Sequence, residues 1–449
     1  MIDNDRIERA LRAGPPDEPL YAAAFAPLAH AKPPAFPRAQ ALTRVPSRRL
    51  AAPSFGFALA AVVSLTLVAA LVVVRNAQPV SSPSGSGSPA PSVTASPSPR
   101  EISGAELDAL LGSWASDLGA GGDTPGVSAA ITVDGRIWLS GYTVHPDTKV
   151  LRIGPASRTY LIAVVLQLAD EGRLSLGDPI SRYVPNWPSG DRISIRMLMA
   201  GSSGAAPFGQ PVEALAGHLA ADPKHDWTSA DALTIARNGQ PRFDPGGGFE
   251  PVDTDDALLV NVIEAVTHSP ASAEIRRRLL DPLALKATYV AGEPIPPPGS
   301  GKPSGAEPGS PEMSRGHWDP TGTGRREAID DLPADVLAVL GSARGMAATV
   351  ADLGRWSDAL HQGPIVLSHD SRALLDRPYG VDGFGGAGMC PCLGDVKRAL
   401  VVSGSVGAYA SLVAWFPSER ISVAVLVDRT VAPSDLGRLL ERVYALAGP

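Results

Sequence analysis

Residues 54–74 read SFGFALAAVVSLTLVAALVVV, an uninterrupted run with no charged side chain. At about 1.5 Å per residue a helix of this length crosses a hydrocarbon core of about 30 Å. A helix buried in a soluble core normally keeps a polar face over so many turns, and this run has none. It also starts too far into the chain, and is too long, for the apolar region of a cleaved signal peptide. Arg38, Arg44, Arg48 and Arg49 precede it and only Arg75 follows closely, so the positive-inside bias places the N-terminus in the cytoplasm and the large C-terminal part outside. The expectation is a single-pass protein of the cell membrane in four parts: a tail over 1–53, the helix over 54–74, a linker over 75–101 and a domain over 102–449.

The four parts differ in composition. The tail offers one short helix, DNDRIERALRAG, with Asp3 and Asp5 near its start and Gly14 after its last turn, and is otherwise Ala/Pro-rich and loose. The linker, AQPVSSPSGSGSPAPSVTASPSPRE, has too little apolar content to offset the entropy of ordering, and its prolines keep it partly extended. A net charge of −7 gives no basic footprint and excludes nucleic acid as a partner. The two cysteines, Cys390 and Cys392 in MCPCLG, exclude a disulfide-dense scaffold and a four-cysteine zinc site. Outside the cell they form either a small disulfide ring or a thiol pair. His218, His225, His317, His361 and His369 are scattered without ligand spacing. They are read as surface or structural residues, and no metal or cofactor is expected.

From residue 102 onward the apolar periodicity is that of a globular domain. GAELDALLGSWASDL is amphipathic, and GVSAAITV and RIWLSGYTV are strand-like runs joined at Asp134-Gly135, a hairpin signal. SRTYLIAVVLQLADEGRLSL predicts a buried helix ending near Gly172, and ISIRMLMAGSSG a short helix ending in a loop. ALVVSGSVGAYASLVAWFP and RISVAVLVD read as two more strands, closed by the helix SDLGRLLERVYALA. Strands at both ends with helices between predict an α+β fold whose termini complete one antiparallel sheet. The Pro/Gly-rich stretch over 292–331 predicts a long polar loop.

This arrangement, with LQLADEGRLSLGDPISRYVPNWP, VIEAVTHSPASAEIRRRLLDPLALKAT and SARGMAATVADLGRWSDAL between the strands, resembles the β-lactamase-related family of class C β-lactamases, D-Ala-D-Ala carboxypeptidases and related serine esterases. The resemblance implies a serine nucleophile and a lysine base in an S-x-x-K motif at a helix start, one turn apart on one face. Here those places hold Pro155, which has no nucleophilic atom, and Arg158, whose residue type keeps its proton and cannot serve as a base. Proline does suit the first turn of a helix. No lysine of the chain has a serine three residues before it, so the motif is not displaced elsewhere.

The family's Y-x-N becomes Pro251 and Asp253, which removes the alternative base and part of an amide contact. The K-T-G or H-x-G strand motif becomes Val402-Ser403-Gly404, and the histidine of H-T-S-G becomes Gly201. No G-x-S-x-G elbow offers the α/β-hydrolase alternative. Arg158, Asp253, Ser403 and Gly404 remain as candidates to line a ligand cleft.

Three readings follow. In the first, the chain is an inactive homologue that binds cell-wall peptide or an envelope protein. In the second it is a weak serine hydrolase with a rearranged nucleophile, for which Ser157 and Ser403 are the nearest hydroxyls, although Ser157 lies roughly 200° around a helix from the expected face. In the third it is a scaffold without a ligand, and the cytoplasmic tail signals.

Overall fold

A computed structural model describes residues 102–119, 124–209, 212–222, 224–298, 311–318, 327–376 and 399–447. The tail helix, the apolar run over 54–74, the linker, Cys390 and Cys392 lie outside them. Among the described residues no helix is long and apolar enough to cross a membrane.

The domain opens with α1 (Gly104–Leu118), whose start is capped by Ser103 accepting from the Glu106 N–H. Leu107, Leu111, Trp114 and Ala115 form its buried stripe. β1 (Val127–Val133) and β2 (Arg136–Tyr142) then pair antiparallel across the Asp134-Gly135 turn. Both turn residues have positive φ, at 47° and 76°, as a two-residue hairpin of this handedness requires.

The chain's last strands complete the same sheet. β9 (Leu400–Val406), β10 (Tyr409–Phe416) and β11 (Ile421–Val427) give the order β2-β1-β11-β10-β9, with β1 antiparallel to β11 and Val127 opposite Val427. The sheet therefore joins both ends of the domain, as the pattern predicts. One strand more is present than the sequence reading assigned, because the apolar run over 399–417 is itself a hairpin. Gly407, at φ 53°, turns it back on itself between β9 and β10.

β1 and β11 are buried along their whole length because both sheet faces are covered. On one face, Val127, Ala129, Ile131, Val423 and Val425 pack with α1 and the C-terminal helix α11 (Pro433–Ala447). On the other, Ala130, Val413, Ala424 and Leu426 join the larger core containing α2 (Ser157–Asp170) and α9 (Val350–Gln362).

Between the sheet halves lies a helical region of α3 (Ile195–Ala200), α4 (Val212–Ala221), α5 (Ser229–Asn238), α6 (Asp253–Thr267), α7 (Ala271–Ile275), α8 (Ala334–Arg344) and α10 (His369–Leu375). Short strands β3 (Lys149–Arg152), β4 (Thr288–Tyr289), β5 (Glu312–Met313) and β8 (Ala347–Ala348) form a second small sheet. The stretch predicted as a loop is partly ordered by this sheet: β5 pairs with β3, and β6 (Gly316–Trp318) pairs with β7 (Glu327–Ile329). Tyr409 Oη donates to Ser314 O at 3.0 Å, tying the same stretch to the main sheet.

α9 approaches the sheet through Gly354, where an added Cβ would lie 2.7 Å from the Ala130 Cβ on β1. Neither partner can move away, since one is a methyl on a central strand. Gly354→Ala should therefore lower stability by about 1–3 kcal/mol despite alanine's better helix propensity, measured as a shift in the urea unfolding midpoint.

Candidate functional site

The chain leaves β3 at Arg152 and turns through Gly154, at φ 44°, and Pro155 in a 3-10 turn that runs straight into α2. Pro155 fits there because its φ is preset and it has no N–H to leave unpaired. A Cβ at Gly154 would stand 2.9 Å from the Val406 Cβ, so the edge strand β9 packs directly on this turn. Pro155, Ala156 and Ser157 are all buried.

One step into α2, Arg158 is 2% exposed. Its Nη1 donates to Asp256 Oδ1 in α6, and its Nη2 donates to the carbonyls of Leu198 at 2.5 Å and Met199 at 3.0 Å, near the C-terminal end of α3. The other oxygen of Asp256 accepts from Arg344 Nε of α8 at 3.0 Å. One fully buried carboxylate thus joins two buried guanidiniums and ties α2, α6 and α8 together, with the end of α3 held through Arg158. A helix C-terminus, with its unpaired carbonyls, is a favourable place for a cation.

The remaining acids at the start of α6 are equally enclosed. Asp253 accepts from the backbone N–H groups of Phe208 at 3.0 Å and Gly209 at 2.7 Å, fastening the loop before α4. Burial pushes its carboxyl above the ordinary range, opposed by the nearby Arg344. Asp255 accepts from Ser203 Oγ and from Val252 N at 3.4 Å. Burial pushes its carboxyl up to about 7, against the pull of Arg158 and the Ser203 hydrogen bond.

Pro251 and Gly201 face one another. Gly201 ends α3 in the left-handed region at φ 70°, and a Cβ there would lie 2.8 Å from Pro251 Cγ and 2.9 Å from its Cα. The segment around Pro251 is held to the Gly201 segment by backbone bonds from Glu250 N to Gly201 O and from Gly246 N to Ser202 O, both 2.9 Å. A histidine at 201 and this placement of Pro251 exclude each other, so the two departures from the family pattern form one packing unit.

On β9, cross-strand partners fix which way each residue faces. Val402 pairs with Val413 and belongs to the core shared with α2, whereas Ser403 pairs with Leu412 of the opposite core. Gly404, opposite Ser411, shares the α2 side and is buried. Ser411 Oγ on that side donates to Ile153 O at 2.7 Å. Neither hydroxyl proposed as a replacement nucleophile is placed for the task. Ser157 is 0% exposed and its Oγ has no hydrogen-bond partner among the described residues, while Ser403 looks to the far face. The structure therefore brings Arg158 and Asp253 to one locked cluster and keeps Ser403 apart.

The cluster's centre, Asp256 with Arg344, was missed in the sequence reading. Its only sequence trace is the acidic opening DTDD on an otherwise apolar helix, which helix starts commonly show for other reasons. No group of three or more His, Cys, Asp or Glu among the described residues is placed to hold a metal ion.

A profile described as Beta-lactamase matches residues 111–447, well over half of the chain. The chain belongs to the β-lactamase family. Among solved structures, this family member is similar to a D-stereospecific amidohydrolase from Streptomyces sp., with a TM-score of 0.59 at 20% identity, covering 73% of this chain and 97% of that one. It is also similar to the octameric penicillin-binding protein homologue from Pyrococcus abyssi, with a TM-score of 0.59 at 22% identity and 76% of each chain covered. Among curated proteins it is 28% identical over 193 residues to Protein flp of Staphylococcus aureus (strain MW2), across 37% of this chain. It spans only 35% of that relative's length. The structural likenesses establish the β-lactamase/transpeptidase-like fold.

Two outcomes are expected for the buried cluster. Asp256→Ala leaves two guanidiniums buried without their carboxylate and should cost about 3–5 kcal/mol in urea unfolding. For Asp255, the folded carboxyl titrates near 7 against 3.8 in an unperturbed chain, so between these values the folded state holds the extra proton. This contribution to stability is present at low pH and is lost as pH rises from about 4 to about 7. Asp255→Asn should flatten that slope in unfolding midpoints measured across the same range.

Proposed function

We propose that this protein is a catalytically silent member of the β-lactamase family that acts by binding in the cell envelope, held to the membrane by residues 54–74. The observation that carries the reading is the place of Arg158. The side chain standing where the family has its lysine base is spent on a buried ion pair and two carbonyls, one turn after a proline in the nucleophile's position. Loss of the nucleophile alone costs such hydrolases on the order of a millionfold in turnover, and further losses add little because the residues act as a unit.

Silence at these positions is compatible with recognition around them. Arg158, Asp253 and Gly404 are buried, so a cell-wall peptide or envelope protein would meet the rim, where Ser202 and Pro251 are half-buried. Tethering outside the cell would keep such a binding domain within reach of wall material, and the Ser/Pro/Gly linker would supply that reach.

The test is to incubate the purified chain with a fluorescent penicillin, a fluorophosphonate and a D-amino-acid amide, the last chosen from the chemistry named for the Streptomyces neighbour. The expected result is no covalent mass and no amide turnover, with muropeptides protecting the rim from proteolysis in a saturable way. A stoichiometric adduct on any serine would overturn the reading. The double variant Pro155→Ser, Arg158→Lys should also stay inactive, because Pro251 and Val402 remain. It should unfold at lower urea than the parent, since lysine cannot serve Asp256 and two carbonyls at once.

A further inference from the structure

A cavity of about 370 Å³ opens between α4, α5 and the segment that joins them, away from the Arg158 cluster. Trp227, Ile235 and Pro207 supply its apolar walls, and the larger part of its lining is apolar. Its volume lies within the range of small-molecule pockets, and polar side chains are interspersed with the apolar walls.

Two imidazoles aside, the ionisable groups among them are acidic. Asp222 and Asp231 bring carboxylates, His218 and His225 bring imidazoles, and no lysine or arginine is among the described lining residues. Asp231 is already committed. Its Oδ1 meets His225 Nε2 at 3.0 Å, and its Oδ2 accepts from both Thr228 N and Thr228 Oγ1 at 2.8 Å. Burial acts against ionisation there, but these hydrogen bonds hold the carboxyl below its ordinary range.

Asp222 is different. Its backbone is engaged, the N–H donating to Leu219 O at 3.3 Å and the carbonyl accepting from Trp227 Nε1 at 3.1 Å and from His225 N at 3.2 Å. The tryptophan bond ties the indole to the Asp222 backbone, and both side chains line the cavity, the exposed carboxylate taking no hydrogen bond from the described residues. The T-shaped contact with His225, at 4.6 Å between centroids, holds the indole in place. A carboxylate and an indole lining the same cavity are a combination that attracts an organic cation, through the charge and through the aromatic ring.

We propose that this cavity binds a compact organic amine carrying an apolar body, with the ammonium group at Asp222 and the body against Trp227 and Ile235. None of the lost catalytic positions lines this site. Metal binding by the two imidazoles is the rival use of the same residues.

The probe is 2-phenylethylamine, titrated calorimetrically into the full chain at neutral pH, with 3-phenylpropionate and Zn²⁺ titrated separately. Saturable one-to-one binding of the amine is expected, with no comparable binding of the carboxylate. Asp222→Asn should weaken the amine about tenfold or more, as loss of a charge-assisted hydrogen bond does. Trp227→Ala should weaken it as well, and because that half-buried ring also packs on the core, the exposed Asp222→Asn change keeps the test decisive if the tryptophan variant misfolds. Absence of saturable amine binding, equal binding of phenylpropionate, or amine binding unmoved by Asp222→Asn would each overturn the proposal. Tight Zn²⁺ binding lost in His218→Ala, with no amine binding, would assign the cavity to a metal instead.

Discussion

The carboxylate of Asp256 holds together the part of this molecule where its relatives do chemistry. One oxygen serves Arg158 and the other Arg344, so three helices from distant parts of the chain meet at a single buried charge. Such a group is costly to bury and is tolerated only when its partners neutralise it and its lone pairs are used. Here both conditions are met, and the surrounding geometry depends on it: the end of α3, the start of α2 and the loops fastened by Asp253 all abut the same cluster. A catalytic centre needs groups that can change protonation state and reach a substrate. In this cluster the charged groups are buried and serve one another.

Substitutions that look independent along the chain are coupled in space. Gly201 and Pro251 exclude any return of side chain at 201 because their atoms would overlap. Gly154 lets β9 sit on the turn beside Pro155, so a side chain at 154 would push Val406 away. Restoring the family residue at any one of these positions would therefore meet a neighbour already packed against the residue now present.

Much of the architecture was legible from periodicity. The amphipathic GAELDALLGSWASDL is α1, the Asp134-Gly135 hairpin is β1–β2, and the closing strands pair with the opening ones. The extra strand at 399–417 was not separated because the two strands form one nearly uncharged run, and the turn between them is marked only by Gly407. The losses at Pro155, Arg158, Pro251 and Val402 were legible because a missing atom can be read from residue identity alone. Their replacement was not: that Arg158 finds Asp256 depends on α2 and α6 crossing at one point, and no local pattern encodes a contact between residues 98 positions apart. The amine cavity was hidden for the same reason, since Asp222, His225 and Trp227 acquire meaning only once the connection between α4 and α5 is folded.

The central sheet joins the two ends of the domain, with Gly126 N–H held by Asp428 Oδ1 across 302 residues. During synthesis the β1–β2 hairpin therefore emerges with its apolar edge unmatched and waits until nearly the whole polypeptide has followed. Long-range pairing of this kind slows folding and prolongs the time that strand edges are exposed. For a chain of this design, folding is bound to length: a product stopped even shortly before residue 421 would lack β11, the middle strand, and would leave its first hairpin without a partner.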